Sequence, residues 1–465
     1  MKGVLRRAVG LLLLVFAQEV SAGDTVAEKT WLAHRDFRLE NGLRVVLVQE
    51  PKAPVVVTQV WYRVGSVDEE PGRTGLSHML EHMMFRGTPD HPDGEFSRIV
   101  SHLGGDDNAS TSQDFTQYYV KIASNHLERI LALEADRMHN LRLEEEVLRT
   151  ENAVVQEERR SRTDSDPQAR MAEKFQERLF SGHPYGHPII GWMADIQAHR
   201  RDDLARWYRL HYAPNNAALV VVGDLDLDRA QRLVETYFAS IPPAESLPDG
   251  RIARPPLPEQ PQRLVVEDAT ARVGLWNMAF SAPSLAQGDA EREVMACEVL
   301  TELLGGGLSS RLYRRLVVEE QLAVAVNAGY GGMERGGGTI QLQVTPRSGV
   351  DAVRIEEQVR AVIERLRQEP VDETELQRVR NNLIAGHVFT QDSAYYLAHS
   401  IGRSVTAGID WRGQVLDYPH HLREVAVADV QAAAGRYLDP QRATIGWLQP
   451  AGQRSGGSSP VEATP

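Results

Sequence analysis

Two periodicities alternate along this chain. Apolar residues fill or alternate through Leu43–Val48 and Val55–Val64, and again through Leu264–Val265 and Val273–Phe280, which is the pattern of strands. Elsewhere they recur every three or four positions, as over Gly75–Gly87, Glu144–Arg162 and Val294–Leu304, the spacing of helices that bury one side. Each set of strands is also closed in the same way, by a helix, a proline-bearing turn and a strand. The first closing segment is Trp207-Tyr208…Tyr212-Ala213-Pro214…Leu219–Val222, and the second is Tyr437…Pro440…Thr444–Trp447. The halves therefore read as distant copies. Strands mixed with long helices predict an α+β fold of two homologous domains, each a mostly antiparallel or mixed sheet with helices packed on one face.

Between the copies lies Ile241–Gln262, IPPAESLPDGRIARPPLPEQPQ. Its prolines fix φ and remove backbone donors, so it should run as an extended connector. The expected organisation is a first domain over 23–245, a linker over 246–262 and a second domain over 263–450. The remaining stretch, 451–465, is rich in Ser, Gly and Pro and should be disordered. Residues 1–22 have another character. Lys2, Arg6 and Arg7 precede an apolar run from Ala8 to Ala17, and Val20-Ser21-Ala22 offers a cleavage point. That is the layout of a secretory signal, with a run too short for a comfortable bilayer span. A periplasmic or otherwise exported protein is expected, with no membrane span after cleavage.

Charge and cysteine usage narrow the classes. The formal net charge is −13, and removing residues 1–22 takes away three basic residues and one acidic, leaving −15. An acidic chain without a basic block argues against nucleic acid as a partner. The lone Cys297 permits no internal disulfide, so an exported fold must rely on its cores. Its place in the apolar helical run marks it as a buried thiol rather than a nucleophile.

The candidate chemistry sits in Gly75–Gly87, GLSHMLEHMMFRG. Leu76, Met79, Leu80 and Met83 define the buried side of a helix on which His78 and His82, four residues apart, project together, with Glu81 between them. Two neutral imidazoles at that spacing bind one zinc ion while the carboxylate reaches the adjoining water. A third ligand is expected in the helix Glu144–Arg162, whose buried face is set by Val147, Leu148, Val154 and Val155. Glu151 and Glu158 fall within that face and Glu157 falls off it. A carboxylate there is costly unless a metal or a charge partner holds it. Glu158 is thus the candidate ligand and Glu151 its supporting carboxylate, although a one-residue slip would exchange Glu158 for Glu157. Three ligands leave one position open, and Glu81 is the candidate general base.

His78-Met79-Leu80-Glu81-His82, followed 76 positions later by Glu158 in Val154-Val155-Gln156-Glu157-Glu158-Arg159-Arg160, resembles the pitrilysin/insulinase family of inverted-motif zinc metallopeptidases. Within it the chain is most similar to the short bacterial members related to the mitochondrial processing peptidase, over nearly all of its length past residue 22. His183-Pro184-Tyr185-Gly186-His187-Pro188 and the Gly305–Arg311 run, GGGLSSR, also resemble family signatures. Pro184 and Gly186 disfavour a helix that would align His183 and His187, so that segment reads as a structural loop near the cleft. The resemblance implies a zinc endopeptidase with one Zn2+ per chain, acting on peptides held in extended form inside a two-chain clamshell. It implies further that the polar run 108–119 supplies a sheet edge that captures substrate backbone, with Asn108 and Ala109 beside the scissile bond.

The second half departs from the family pattern. Members that work as one chain, or as identical chains, resemble Leu-Arg-Glu-x-x-Gly-Leu-Ala-Tyr after the glycine run, and the Arg and Tyr contact the substrate carbonyl. Here the segment reads Leu316-Val317-Val318-Glu319-Glu320-Gln321-Leu322-Ala323-Val324. Val317 and Val324 cannot donate a hydrogen bond. A homologous partner subunit that brings the Arg/Tyr pair is the expectation. A structural or peptide-binding member of the same family is the alternative.

Overall fold

The computed structural model describes residues 32–451. The signal-like segment and nearly all of the Ser/Gly/Pro-rich tail lie outside the described residues. Eleven strands form two sheets. The first holds β1 (His34–Arg38), β2 (Arg44–Gln49), β3 (Val55–Tyr62), β4 (Asp106–Thr111), β5 (Thr116–Ala123) and β6 (Ala217–Gly223) in the order β1-β2-β6-β3-β5-β4. The second holds β7 (Gln262–Asp268), β8 (Leu275–Ala282), β9 (Ala323–Gly331), β10 (Gly338–Pro346) and β11 (Thr444–Pro450) in the order β7-β11-β8-β10-β9. That order repeats β2-β6-β3-β5-β4 strand for strand. Each sheet has one parallel pair, β2 with β6 and β7 with β11, and is otherwise antiparallel. The α+β duplication expected from the alternating patterns is what the chain folds into. Residues 239–261 between the sheets carry no helix or strand.

One expectation needs extending. Helices were expected on one face of each sheet, and the main cores do lie there, with Leu127–Asn140 and Leu227–Phe238 covering the first sheet and Glu291–Gly305 the second. The opposite faces are covered too, each by a helix from the other half. Ala394–Ala407 crosses onto the first sheet, where Leu397, Ala398 and Ile401 join Val57, Trp61, Val220 and Val222 in a separate core. In return, Pro167–Leu179 lays Met171 and Phe175 on Ala279 and Leu448 of the second sheet. Glycines admit both crossings. A Cβ on Gly402 would lie 2.1 Å from Trp61 Nε1, and one on Gly446 would lie 2.5 Å from the Met171 terminal methyl. Periodicity within one half carries no information about such an exchange.

A polar seam fixes the same junction. Arg335, only 3% exposed, grips Asp68 with two guanidinium donors at 2.8 and 2.9 Å. Its backbone N–H donates to Asp114 at 2.9 Å, and the Gly336 N–H donates to the Tyr185 hydroxyl oxygen at 2.8 Å. Cleaving a buried, bidentate ion pair leaves a charge unpaired, which typically costs about 3–5 kcal/mol.

The reciprocal packing generates a prediction. Ile401→Ala, a change in the second half, should destabilise the chain by about 2–5 kcal/mol through the cavity it leaves. Hydrogen exchange should show the lost protection in β3 and β6 of the first half, and exchange confined to the second half would refute the linkage.

Candidate metal centre

The helix bearing both histidines runs from Leu76 to Met83. It starts from Gly75, whose φ of 85° is left-handed and whose Cβ would lie 2.4 Å from the Ile190 carbonyl oxygen, so only glycine fits. In place of a capping side chain next in sequence, the buried carboxylate of Glu69 accepts from the Gly75 and Ser77 N–H groups, each at 2.7 Å. Burial, more than any neighbour, pushes Glu69 up to about 8 despite these donors. Leu76, Met79, Leu80 and Met83 are buried as the spacing predicts, which leaves His78, Glu81 and His82 facing a cleft of about 940 Å3.

The carboxylate helix runs from Glu145 to Arg159 and widens into a π-helical turn over Arg160–Asp164. Its buried stripe is Leu148, Glu151, Val155 and Arg159. Val154, expected on that stripe, is 45% exposed, because the stripe advances by three and four residues and passes on either side of it. Glu158 lies inward with its side chain 16% exposed, while Glu157, at 72%, pairs with Arg160 outside. The helical-face argument therefore selects the residue that reaches the histidines.

Glu158 Oε2 lies 3.3 Å from His82 Nε2 and 3.8 Å from His78 Nε2, and the three donor atoms all fall within 4.8 Å of one another. Two imidazole nitrogens and a carboxylate oxygen so disposed suit one divalent cation of the zinc type, with room for a fourth ligand. Supporting contacts fix His82, Glu158 and Glu81, while His78 Nδ1 is buried without a hydrogen-bond partner. Glu151 takes the other ring nitrogen of His82, Nδ1, at 3.2 Å and is itself held by Arg86 at 2.8 Å. Arg162, on the π turn four residues on, reaches Glu158 Oε1 at 2.7 Å from the solvent side. Thr111 donates its hydroxyl to Glu81 Oε2.

The titrations follow from these surroundings. Burial, helped by the neighbouring His82, pushes His78 down to about 4, so its ring is neutral at pH 7. For His82 burial acts in the same sense but is outweighed by Glu151 and Glu158, and it rises to about 9. Glu158 is lowered, chiefly by His82 against the pull of burial. Glu81 is raised, because burial outweighs the Thr111 hydroxyl and His82. A carboxylate lifted in this way is a better proton acceptor near neutrality.

The run expected to supply a substrate edge falls at the rim of the first sheet. The run 108–119 is not one strand. It divides at residues 112–115 into β4 and β5, and β4 is the outermost strand, with its far edge unpaired among the described residues. Asn108 and Ala109 both line the cleft, on opposite faces of β4. Ala109 pairs with Tyr118 and faces the histidine helix, whereas Asn108 pairs with Tyr119 and faces away. His183 and His187 each turn Nε2 to a backbone carbonyl, Ala253 at 2.7 Å and Ser66 at 2.6 Å. Cys297 is fully buried. Val324 is 55% exposed at the start of β9, Val317 is half-buried nearby, and no His/Cys/Asp/Glu cluster of metal-holding geometry occurs in the second half among the described residues. Glu69, Arg86, Thr111 and Arg162 were not singled out from the sequence. Arg162 alone left a helical signal there, since it lies four residues beyond Glu158.

Fold and site together define a duplicated scaffold that poises three metal-binding donors beside a free sheet edge. Comparison with known proteins gives the same class. Residues 44–192 match the profile of the insulinase family (peptidase family M16), and residues 200–383 match the profile described as the peptidase M16 inactive domain. The chain is 30% identical over 452 residues to the zinc protease PqqE of Helicobacter pylori, covering 96% of this chain and 99% of that one. The crystal structure of a protease from Helicobacter pylori superposes with a TM-score of 0.85 at 29% identity, covering 90% of this chain and all of the other. The periplasmic protease PqqL from Escherichia coli shares the fold, with a TM-score of 0.74 at 20% identity, but this chain spans only 47% of it. The chain belongs to the M16 family of zinc peptidases.

Metal content tests the donor set. Glu158→Gln should abolish stoichiometric zinc uptake, Glu157→Gln should leave it intact, and Glu151→Ala should weaken affinity about 10–100-fold. Chelator competition with elemental analysis reads all three.

Proposed function

We propose that this chain is the zinc-bearing subunit of an exported endopeptidase that hydrolyses peptides held in extended form, in a clamshell completed by a second, homologous chain. The convergence of His78, His82 and Glu158 beside Glu81 and the free edge of β4 carries the reading. The three donors would hold zinc, which when bound lowers the pKa of a water and polarises a carbonyl. The chain's own groups do the rest. An extended peptide adds to the edge of β4, its backbone paired to the strand at Asn108 and Ala109. Glu81, steered by the Thr111 hydroxyl, takes a proton from the attacking water and passes it to the leaving amine. Arg162 and Arg86 hold the carboxylates of Glu158 and Glu151 against rotation.

The partner follows from what the second half lacks. Val317 and Val324 offer no hydrogen at the positions where self-sufficient relatives resemble an Arg and a Tyr. The span of this chain, about half of PqqL, supports the reading that a second unit of similar size closes the chamber. Export is supported by the basic–apolar–small layout of residues 1–22. Among the described residues no helix is long and apolar enough to cross a membrane.

A non-catalytic, peptide-binding role is the second reading, favoured by the same two valines. Glu81→Gln separates them. In an enzyme it should lower turnover about 10²–10⁴-fold while zinc and peptide binding persist. A pure binder would show no peptidase activity even when co-expressed with a homologue that carries the Arg/Tyr pair. If such a homologue adds no activity over the chain alone, the two-chain reading fails.

A further inference from the structure

The edge strand presents two faces to anything laid beside it, and the mechanism uses one. Asp107, Ala109 and Thr111 pair with Val120, Tyr118 and Thr116 on the face toward the histidine helix. Asp106, Asn108 and Ser110 pair with Lys121, Tyr119 and Gln117 on the back face. Side chains of an added strand alternate in the same way, so every second residue of a bound peptide must meet the back face.

Asp106, Asn108 and Ser110 are themselves exposed, and on their side the second half covers the neighbouring strand β5 and the turn at 112–115. Helix Ala394–Ala407 brings the Tyr395 ring to 4.8 Å from that of Tyr119, and His399 stacks on Tyr395 at 6.1 Å. The His399 ring lies 6.5 Å from Phe115 and 5.0 Å from Trp61. An aromatic row thus runs along the back of β5 toward the turn after Thr111. Where it ends there is a cavity of about 190 Å3, lined by Phe115, Met333 and His399 among others, and it shares Gln113 with the zinc-side cleft.

The arginines around this cavity are already paired. Glu334 pairs with Arg403 at 3.1 Å, and Arg335 pairs with Asp68 at 2.8 Å. Asp114 accepts from the Tyr185 hydroxyl at 2.6 Å and from the Arg335 N–H at 2.9 Å. The carboxylate without a guanidinium of its own, Asp114, already takes two neutral donors, and the excess of negative charge disfavours an acidic side chain. What remains is ring and thioether surface and three buried polar atoms without a hydrogen-bond partner, Arg335 Nε, Thr406 Oγ1 and His399 Nδ1. Burial, with Arg403 close by, pushes His399 down to about 4, so its Nδ1 belongs to a neutral ring. A buried polar atom in an aromatic pocket is best satisfied by a flat side chain with a polar tip.

The geometry points to a second recognition surface for the peptide on the back face of β4, where the cavity between Phe115, Met333 and His399 takes one aromatic side chain, tyrosine above all, from the substrate residue that passes the Ser112 turn. This rests on the reading that peptides lie along β4. It makes helix Ala394–Ala407, which touches none of the metal donors, a determinant of sequence preference.

Binding rather than turnover tests it, so no partner is needed. The full-length zinc-loaded Glu81→Gln chain is titrated with fluorescent extended peptides that carry Tyr, Phe, Ala or Asp at one scanned position, read by anisotropy. At a single position tyrosine should bind about tenfold more tightly than alanine. Adding Ala407→Phe, which fills the cavity, should bring that ratio close to one, and adding His399→Leu should erase the gap between Tyr and Phe. Each ratio is taken within one preparation, so a partly unfolded variant does not distort it. A flat profile at every position, or a tyrosine preference that survives Ala407→Phe, overturns the proposal. If binding of the alanine peptide is lost in Ala109→Pro while the profile is flat, the β4 reading stands and only the back-face inference falls. If binding ignores Ala109→Pro, both fall together.

Discussion

Two carboxylates on the inward side of one helix, one buried and one half-buried at its margin, are the constraint from which the site follows. Glu151 and Glu158 are seven residues apart on Glu145–Arg159, and neither can stay ionised there without compensation. The protein answers with two imidazoles from a second helix and with guanidinium groups from Arg86 and Arg162. The arrangement is graded. Glu151 is saturated by His82 and Arg86, so it can only steer. Glu158 keeps one oxygen facing both Nε2 atoms, the one direction from which a cation can bridge all three. The helix register, the Glu69 cap on the histidine helix and the π turn that carries Arg162 all serve that one convergence.

Much of this was written in the sequence. The spacing of His78, Glu81 and His82 is local, and a helix translates it directly into a shared face. The same holds for Glu158 over Glu157, because a seven-residue separation from Glu151 returns to the same side of a helix. The duplication of the fold also followed from the matching closures at Pro214 and Pro440. What stayed hidden is non-local. Thr111 reaches Glu81 only because β4 forms the edge of the sheet, and its single-letter context says nothing of that. The turn at Ser112–Phe115 was masked by the evenly polar run around it. Val154 misled because a β-branched residue beside the buried stripe looks like part of it.

The exchanged helices show why sequence patterns drawn within one half describe an incomplete object. Leu397, Ile401, Met171 and Phe175 carry ordinary apolar periodicity, which says that they are buried but not against what. Their partners lie more than one hundred residues away, across the proline-rich connector. The glycines that admit them, Gly402 and Gly446, are equally silent until the opposing side chains are in place. One half carries the candidate metal donors and, among the described residues, its copy carries no such cluster, yet each still depends on the other for a cover.

That mutual covering bears on the connector itself. Because each half clasps a helix of the other, residues 239–261 are not what keeps the two together; the covalent thread is redundant with the clasp. A protease that nicks this exposed proline-rich stretch would yield two polypeptides on a denaturing gel and a single interlocked particle in solution.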